Sequence, residues 1–120
     1  MKWPSWLRMP PKRAVEISPT EFKRWLEEGR PLQVVDARTS LEYHQGTIGQ
    51  ARHAPVTSMP GAMERLELDP HKPVVVLCLS GHRSLPGTRW LRTHGFEAYS
   101  LKGGLLAWKL AGYGLERPTG

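Results

Sequence analysis

The run Pro73-Val74-Val75-Val76-Leu77 constrains this chain more than any other feature. It is uncharged and rich in β-branched residues, which suit a pleated, buried surface. Cys78 follows directly, at the carboxyl end of the strand this run predicts. A second apolar run, Leu32 to Val35, ends in Asp36 and reads as a buried parallel strand. Helix signals lie between and after these runs, so strands and helices alternate. The pattern predicts an α/β domain with a mainly parallel sheet. In such sheets ligands bind outside the carboxyl ends of the strands, where both Asp36 and Cys78 fall.

The helix signals are specific. Ser18-Pro19-Thr20-Glu21 combines an N-cap, a proline at the first helical position and the Glu of a capping box. Phe22, Trp25 and Leu26 follow on one helical face, and Gly29 supplies a stop. Thr39-Ser40-Leu41-Glu42 is a second capping-box pattern, opening a short helix that Gly46 ends. Further along, the sequence predicts strands within 51–55 and from Phe96 to Leu101. It also predicts helices from Pro60 to Leu66, from about Ser84 with Pro86 in the first turn, and from Leu105 to Ala111. Ala14 to Ile17 alternates and reads as a short edge strand.

A chain of 120 residues makes one domain, expected over residues 14–120 behind a Pro- and Trp-bearing arm at 1–13. Hydrophobic residues at 39% and charged residues at 23% exclude a wholly disordered chain. The net charge is +6, but Lys and Arg are scattered rather than gathered into a stripe, which argues against nucleic-acid binding. The longest apolar run, Val74 to Leu79, is too short to span a bilayer. Met1 to Pro11 holds three prolines and no continuous apolar stretch, so it is not read as a secretory signal. A cytoplasmic setting is the expectation.

Cys78 is the single cysteine. That excludes an internal disulfide and a multi-thiolate zinc site, and it leaves no second thiol in the chain to resolve chemistry at Cys78. The segment Cys78-Leu79-Ser80-Gly81-His82-Arg83-Ser84 leaves a strand, turns through a glycine and enters a helix. Backbone N–H groups in such a turn converge into an anion nest, and helix N-termini and nearby cations favour thiolate over thiol. Arg83 adds a permanent planar cation suited to oxyanions, and His82 adds charge when protonated. His44, His53, His71 and His94 show no metal-ligand spacing and read as solvated surface. Trp90, Leu91 and Trp108 read as core or interface anchors. No nucleotide-binding glycine pattern occurs, so neither metal nor cofactor is expected.

These residues resemble the rhodanese family, single-domain type, over about residues 14–118. Val34-Val35-Asp36-Ala37-Arg38 with Glu42-Tyr43 looks like its first signature, and Gly46-Thr47-Ile48 through Ala51 to Pro55 is similar to its second. The Cys78 loop matches the active-site loop, with Gly81, Arg83 and Ser84 in register. Gly103-Gly104 through Ala107-Trp108 resembles the terminal motif. Thr47-Ile48-Gly49-Gln50-Ala51 departs from the usual His-Ile-Pro-Gly-Ala.

The resemblance implies a three-layer α/β/α fold with about five strands. It also implies a sulfurtransferase that moves sulfane sulfur from thiosulfate or a similar anion to cyanide, a thiol or a protein thiol. Cys78 would be the persulfide-forming nucleophile, with Leu79, Ser80, Gly81, His82, Arg83 and Ser84 as the substrate-binding loop. Asp36, Arg38 and Glu42 would support it, Arg38 and Glu42 as a structural ion pair. The alternatives are a phosphatase or arsenate reductase on the same fold, whose relatives carry a loop one residue longer, and a non-catalytic interaction or sulfur-carrier module. Only Leu79 to His82 separate Cys78 from Arg83, which favours sulfur.

Overall fold

The computed structural model describes residues 16–118, so the arm at 1–13 and the first two residues of the predicted edge strand lie outside the described residues. Five strands run in chain order, interleaved with helices: β1 (Glu16–Ile17), α1 (Pro19–Glu27), β2 (Gln33–Asp36), α2 (Ser40–Gln45), β3 (Arg52–His53), α3 (Gly61–Arg65), β4 (Val74–Leu77), α4 (Ser84–Thr93), β5 (Ala98–Leu101) and α5 (Gly104–Leu110). A short 3-10 turn at Val56–Ser58, absent from the sequence reading, precedes α3. The sheet order is β1-β5-β4-β2-β3 and every pairing is parallel. The elements match those expected, with ends that are trimmed or shifted by a residue or two: β2 runs to Asp36, and α5 begins at Gly104 and stops at Leu110. The strand expected from Phe96 begins at Ala98, for example, and that expected over 51–55 shrinks to Arg52–His53.

Both N-caps form, but the box expected at Ser18 is only half made, because the Glu21 carboxylate turns to Arg24 and Trp25 instead of the Ser18 N–H. Ser18 Oγ accepts from the Glu21 N–H, and Thr39 and Glu42 form a complete capping box. Alternation within the strands sends side chains to two cores. On one face α1 and α5 pack Phe22, Trp25, Leu105 and Trp108 against Val34, Val75, Leu77 and Leu101. On the other, α3 and α4 pack Ala62, Met63 and Leu91 against Val35, Val74, Val76 and Ala98. The sheet is thus the middle of three layers. All four residues of β4 are fully buried, each contributing about 1.5–3 kcal/mol of apolar burial.

Register decides where the chemistry sits. Asp36 pairs with Leu77, the last residue of β4, and the Ala37 N–H donates to the Leu77 carbonyl at 2.8 Å. The ends of β2 and β4 therefore emerge side by side, with Cys78 next in line. No helix among the described residues is long and apolar enough to cross a membrane.

Candidate active site

Cys78 leaves β4 and the chain curls around its sulfur. The Gly81 N–H donates to Sγ at 3.0 Å, and Ser84 Oγ lies 3.3 Å from Sγ. Gly81 is at φ +92°, a conformation that side chains rarely adopt, and an added Cβ would stand 2.9 Å from the Gly103 backbone nitrogen. A glycine is required here on both counts.

The back wall of the loop is the start of α5. The Leu105 N–H donates to the Cys78 carbonyl at 2.9 Å and the Leu106 N–H to the Leu79 carbonyl at 3.0 Å. These are amides of a helix's first turn, which have no partner within their own helix. They take the loop's carbonyls, which leaves the Gly81 amide turned inward to the sulfur. Gly104, at φ +63°, makes the approach feasible, since a Cβ there would lie 2.4 Å from the Leu79 carbonyl oxygen and 2.5 Å from that of Cys78.

The remaining loop residues divide by exposure. Gly81 and Ser84 are buried, Leu79 and Arg83 are half-buried, and Ser80 and His82 are exposed, with Ser80 Oγ 3.1 Å from His82 Nδ1. Cys78 itself is 0% exposed. Ser84 bonds Ser100 Oγ on β5, and both hydroxyls are fully buried.

The supporting residues pair differently from expectation. Arg38 does not meet Glu42. It is buried, and it donates to Asp36 from Nη2 to Oδ2 at 2.8 Å and from Nε to Oδ1 at 3.0 Å, with a further bond to the Gly46 carbonyl. Thr47 Oγ1 donates to Asp36 at 2.8 Å, closing a buried knot that fixes the end of β2. Arg38 points inward because it follows a buried strand and is not yet in a helix. Glu42, in the first turn of α2, is turned back to Thr39 and outward to Arg83, which donates to it from Nη1 and Nη2, both at 3.2 Å. Hydrogen bonding from Arg83 holds the Glu42 carboxyl down at about 2, helped by Thr39 and opposed by burial. The same contact raises the Arg83 guanidinium above its ordinary value.

His53 also departs from the surface reading. It is half-buried, stacks on Tyr43 with ring centroids 4.8 Å apart, and meets the Arg38 carbonyl at 2.7 Å. His44, His71 and His94 are exposed. Leu91 and Trp108 are core residues, and Trp90 packs partly buried against that core. Among the described residues no cluster of three or more metal-ligating side chains occurs. Sequence reasoning missed Thr47 and Ser100. The one signal for Ser100 is a polar residue at an inward position of an otherwise apolar strand face.

The sequence profile of the rhodanese-like domain matches residues 18–111, and the chain belongs to this family. Its relatives include a Bacillus subtilis protein, YtwF, whose name assigns it provisionally to the sulfurtransferases. The two are 35% identical over 94 residues, covering 78% of this chain and 89% of that protein. A sulfurtransferase of Allochromatium vinosum is 31% identical over 88% of this chain and 97% of its own length. Among solved structures, a rhodanese-like domain protein from Staphylococcus aureus superposes with a TM-score of 0.73 at 31% identity, over 86% of this chain and 97% of that one. Family and relatives support sulfur transfer as the class of chemistry.

Proposed function

We propose that residues 14–120 form one catalytic domain that moves a sulfane sulfur from thiosulfate, or a similar small anionic donor, to an external thiol or protein acceptor. Cys78 is the nucleophile. Its thiolate attacks the outer sulfur of thiosulfate, a bond forms from Sγ to that sulfur, and sulfite departs with the electron pair of the broken S–S bond. The cysteine persulfide then yields its outer sulfur to the acceptor, and the thiolate returns. One difficult transfer becomes two displacements.

The observation that carries this reading is the Gly81 N–H at 3.0 Å from Sγ, at the end of a strand and inside a loop that ends in Arg83. A fixed amide dipole stabilises negative charge on sulfur without reorganising. Ser84 adds a hydroxyl to the same atom. Arg83 attracts the anionic donor, while exposed Ser80 and His82, with Leu79, form the outer rim that the donor must part to reach a buried sulfur. Asp36, Arg38 and Glu42 hold the loop's surroundings. The acceptor is external, because the chain holds no second cysteine. A reducing, cytoplasmic setting suits such a free thiol.

Intact mass after thiosulfate treatment tests this directly. The wild type should gain one sulfur, lose it to a reductant, and show no gain as Cys78→Ser. A wild type that gains nothing, or a Cys78→Ser variant that gains the same mass, overturns the assignment.

A further inference from the structure

Ser100 stands on β5 between Tyr99 and Leu101, facing α4 beside Ala98 and Val76. That face of the sheet is otherwise lined by the apolar residues Val35, Val74, Val76 and Ala98. The Ser100 hydroxyl is fully buried, and its only hydrogen-bond partner among the described residues is Ser84 Oγ. Burying a hydroxyl is unfavourable unless its bond is made, so a serine here needs a reason.

We propose that Ser100 is a positioning residue for the Cys78 thiolate, acting through Ser84. This deepens the sulfur-transfer reading above and rests on it for its purpose. A count of protons gives the mechanism, since each hydroxyl has one proton to donate. When Cys78 is a thiol, its S–H points to Ser84 Oγ, and the Ser84 proton goes to Ser100 or to the Gly81 carbonyl, 3.5 Å away. When Cys78 is a thiolate, the sulfur needs donors, and Ser84 must turn its single proton to Sγ. The bond between the two serines then survives only if Ser100 donates. Ionisation at Cys78 thus turns the Ser84 proton to the sulfur and leaves Ser100 as the donor to Ser84.

Ser100 therefore favours one protonation state over the other. In the thiolate state it supplies the only proton that reaches Ser84, polarising the hydroxyl that faces the sulfur. In the thiol state Ser84 has an alternative acceptor in the Gly81 carbonyl and loses less without Ser100. Thr88 Oγ1 donates to the Ser84 backbone carbonyl at 2.8 Å, which fixes the residue from the helix side and leaves its hydroxyl free to turn. The charge coupled to this sulfur is Arg83, which in turn feels Glu42 and Asp36, while His82 lies in the same loop bonded to Ser80. None of these side chains bonds Ser100, so its effect is separable from theirs.

The test follows thiolate ultraviolet absorbance across pH, each variant read as a difference from its partner that also carries Cys78→Ser. This readout needs no sulfur donor and no access to the buried sulfur. Ser100→Ala should shift the thiolate–thiol equilibrium toward thiol by about threefold to tenfold, the worth of one net hydrogen bond. Ser84→Ala should shift it in the same direction. The double variant Ser84→Ala/Ser100→Ala should match Ser84→Ala alone, because Ser100 acts only through Ser84. Ser100→Thr, which keeps the hydroxyl on a strand-compatible side chain, should return the equilibrium toward the wild-type value. An unchanged equilibrium in Ser100→Ala, or a double variant that adds the two single effects, overturns the proposal. A protein that titrates as expected but forms no persulfide fails the functional reading and leaves this assignment standing.

Discussion

Arg83 donates to both carboxylate oxygens of Glu42 across 41 residues of sequence, so the helix after β2 is tied to the loop after β4. The pair is partly exposed, so its net worth is about 1 kcal/mol or less after solvent screening. Its pH dependence has a definite sign. Glu42 is held at about 2 against an ordinary 4.5, so its contribution is present in full above about 4.5 and is lost as pH falls toward 2. Glu42→Gln should therefore cost stability near neutral pH and cost progressively less as the solution is acidified through this window. Urea unfolding of both proteins at several pH values checks it, and a penalty that grows toward acid would refute it.

Gly104→Ala should damage the site far more than Gly29→Ala. Both glycines have φ near +60 to +70°, but nothing lies within 4 Å of a Cβ at Gly29, whereas at Gly104 two loop carbonyls would be struck. Gly29→Ala should cost roughly 1 kcal/mol of backbone strain and leave sulfur transfer intact. Gly104→Ala displaces the loop, and sulfur transfer should fall on the order of a hundredfold. Comparable activity in the two variants would show that α5 does not shape the loop.

Arg38→Met removes one side of a buried pair and strands the Asp36 carboxylate, which is fully buried. The expected loss is about 3–5 kcal/mol, because an unpaired buried charge costs more than the pair contributes. Thermal unfolding measures this, and a loss under about 1 kcal/mol, a surface pair's worth, would mean that water reaches Asp36.

The covered sulfur predicts selectivity by size. Cys78 has no exposed surface, so a compact alkylating agent should modify the native protein much faster than a bulky maleimide, and both should react alike after unfolding in urea. Equal native rates would place the sulfur in the open.

Four residues, Leu79 to His82, lie between Cys78 and Arg83, and the Gly81 amide already rests 3.0 Å from the sulfur. A ring this short suits one sulfur atom better than a phosphoryl group's oxygens. No meaningful hydrolysis of an aryl phosphate is expected. Phosphatase turnover matching sulfur transfer would reverse this.

Much of this was legible in the residues themselves. The Val74–Leu77 run, the Ser18 N-cap, the Thr39–Glu42 capping box and Gly81 each encode their local structure through short-range physics, and the folded protein keeps them. What failed to show was pairing at a distance. Arg38 and Glu42 are four apart, which suggests contact on a helix, but α2 begins only at Ser40, and each finds its partner elsewhere. Ser100 carries no local signal beyond its polarity, because its partner Ser84 comes from another element. Likewise Gly103-Gly104 reads as a motif, while its purpose, a close approach to the loop's carbonyls, exists only in three dimensions.

The bonds from the Leu105 and Leu106 amides to the Cys78 and Leu79 carbonyls make the nucleophile's surroundings dependent on chain that comes more than twenty residues later. A nascent chain that ended at β5 would hold Cys78 and Arg83 yet lack the buttress against which the loop closes. Competence at the sulfur thus waits, in synthesis, for a helix that contributes no reactive group of its own.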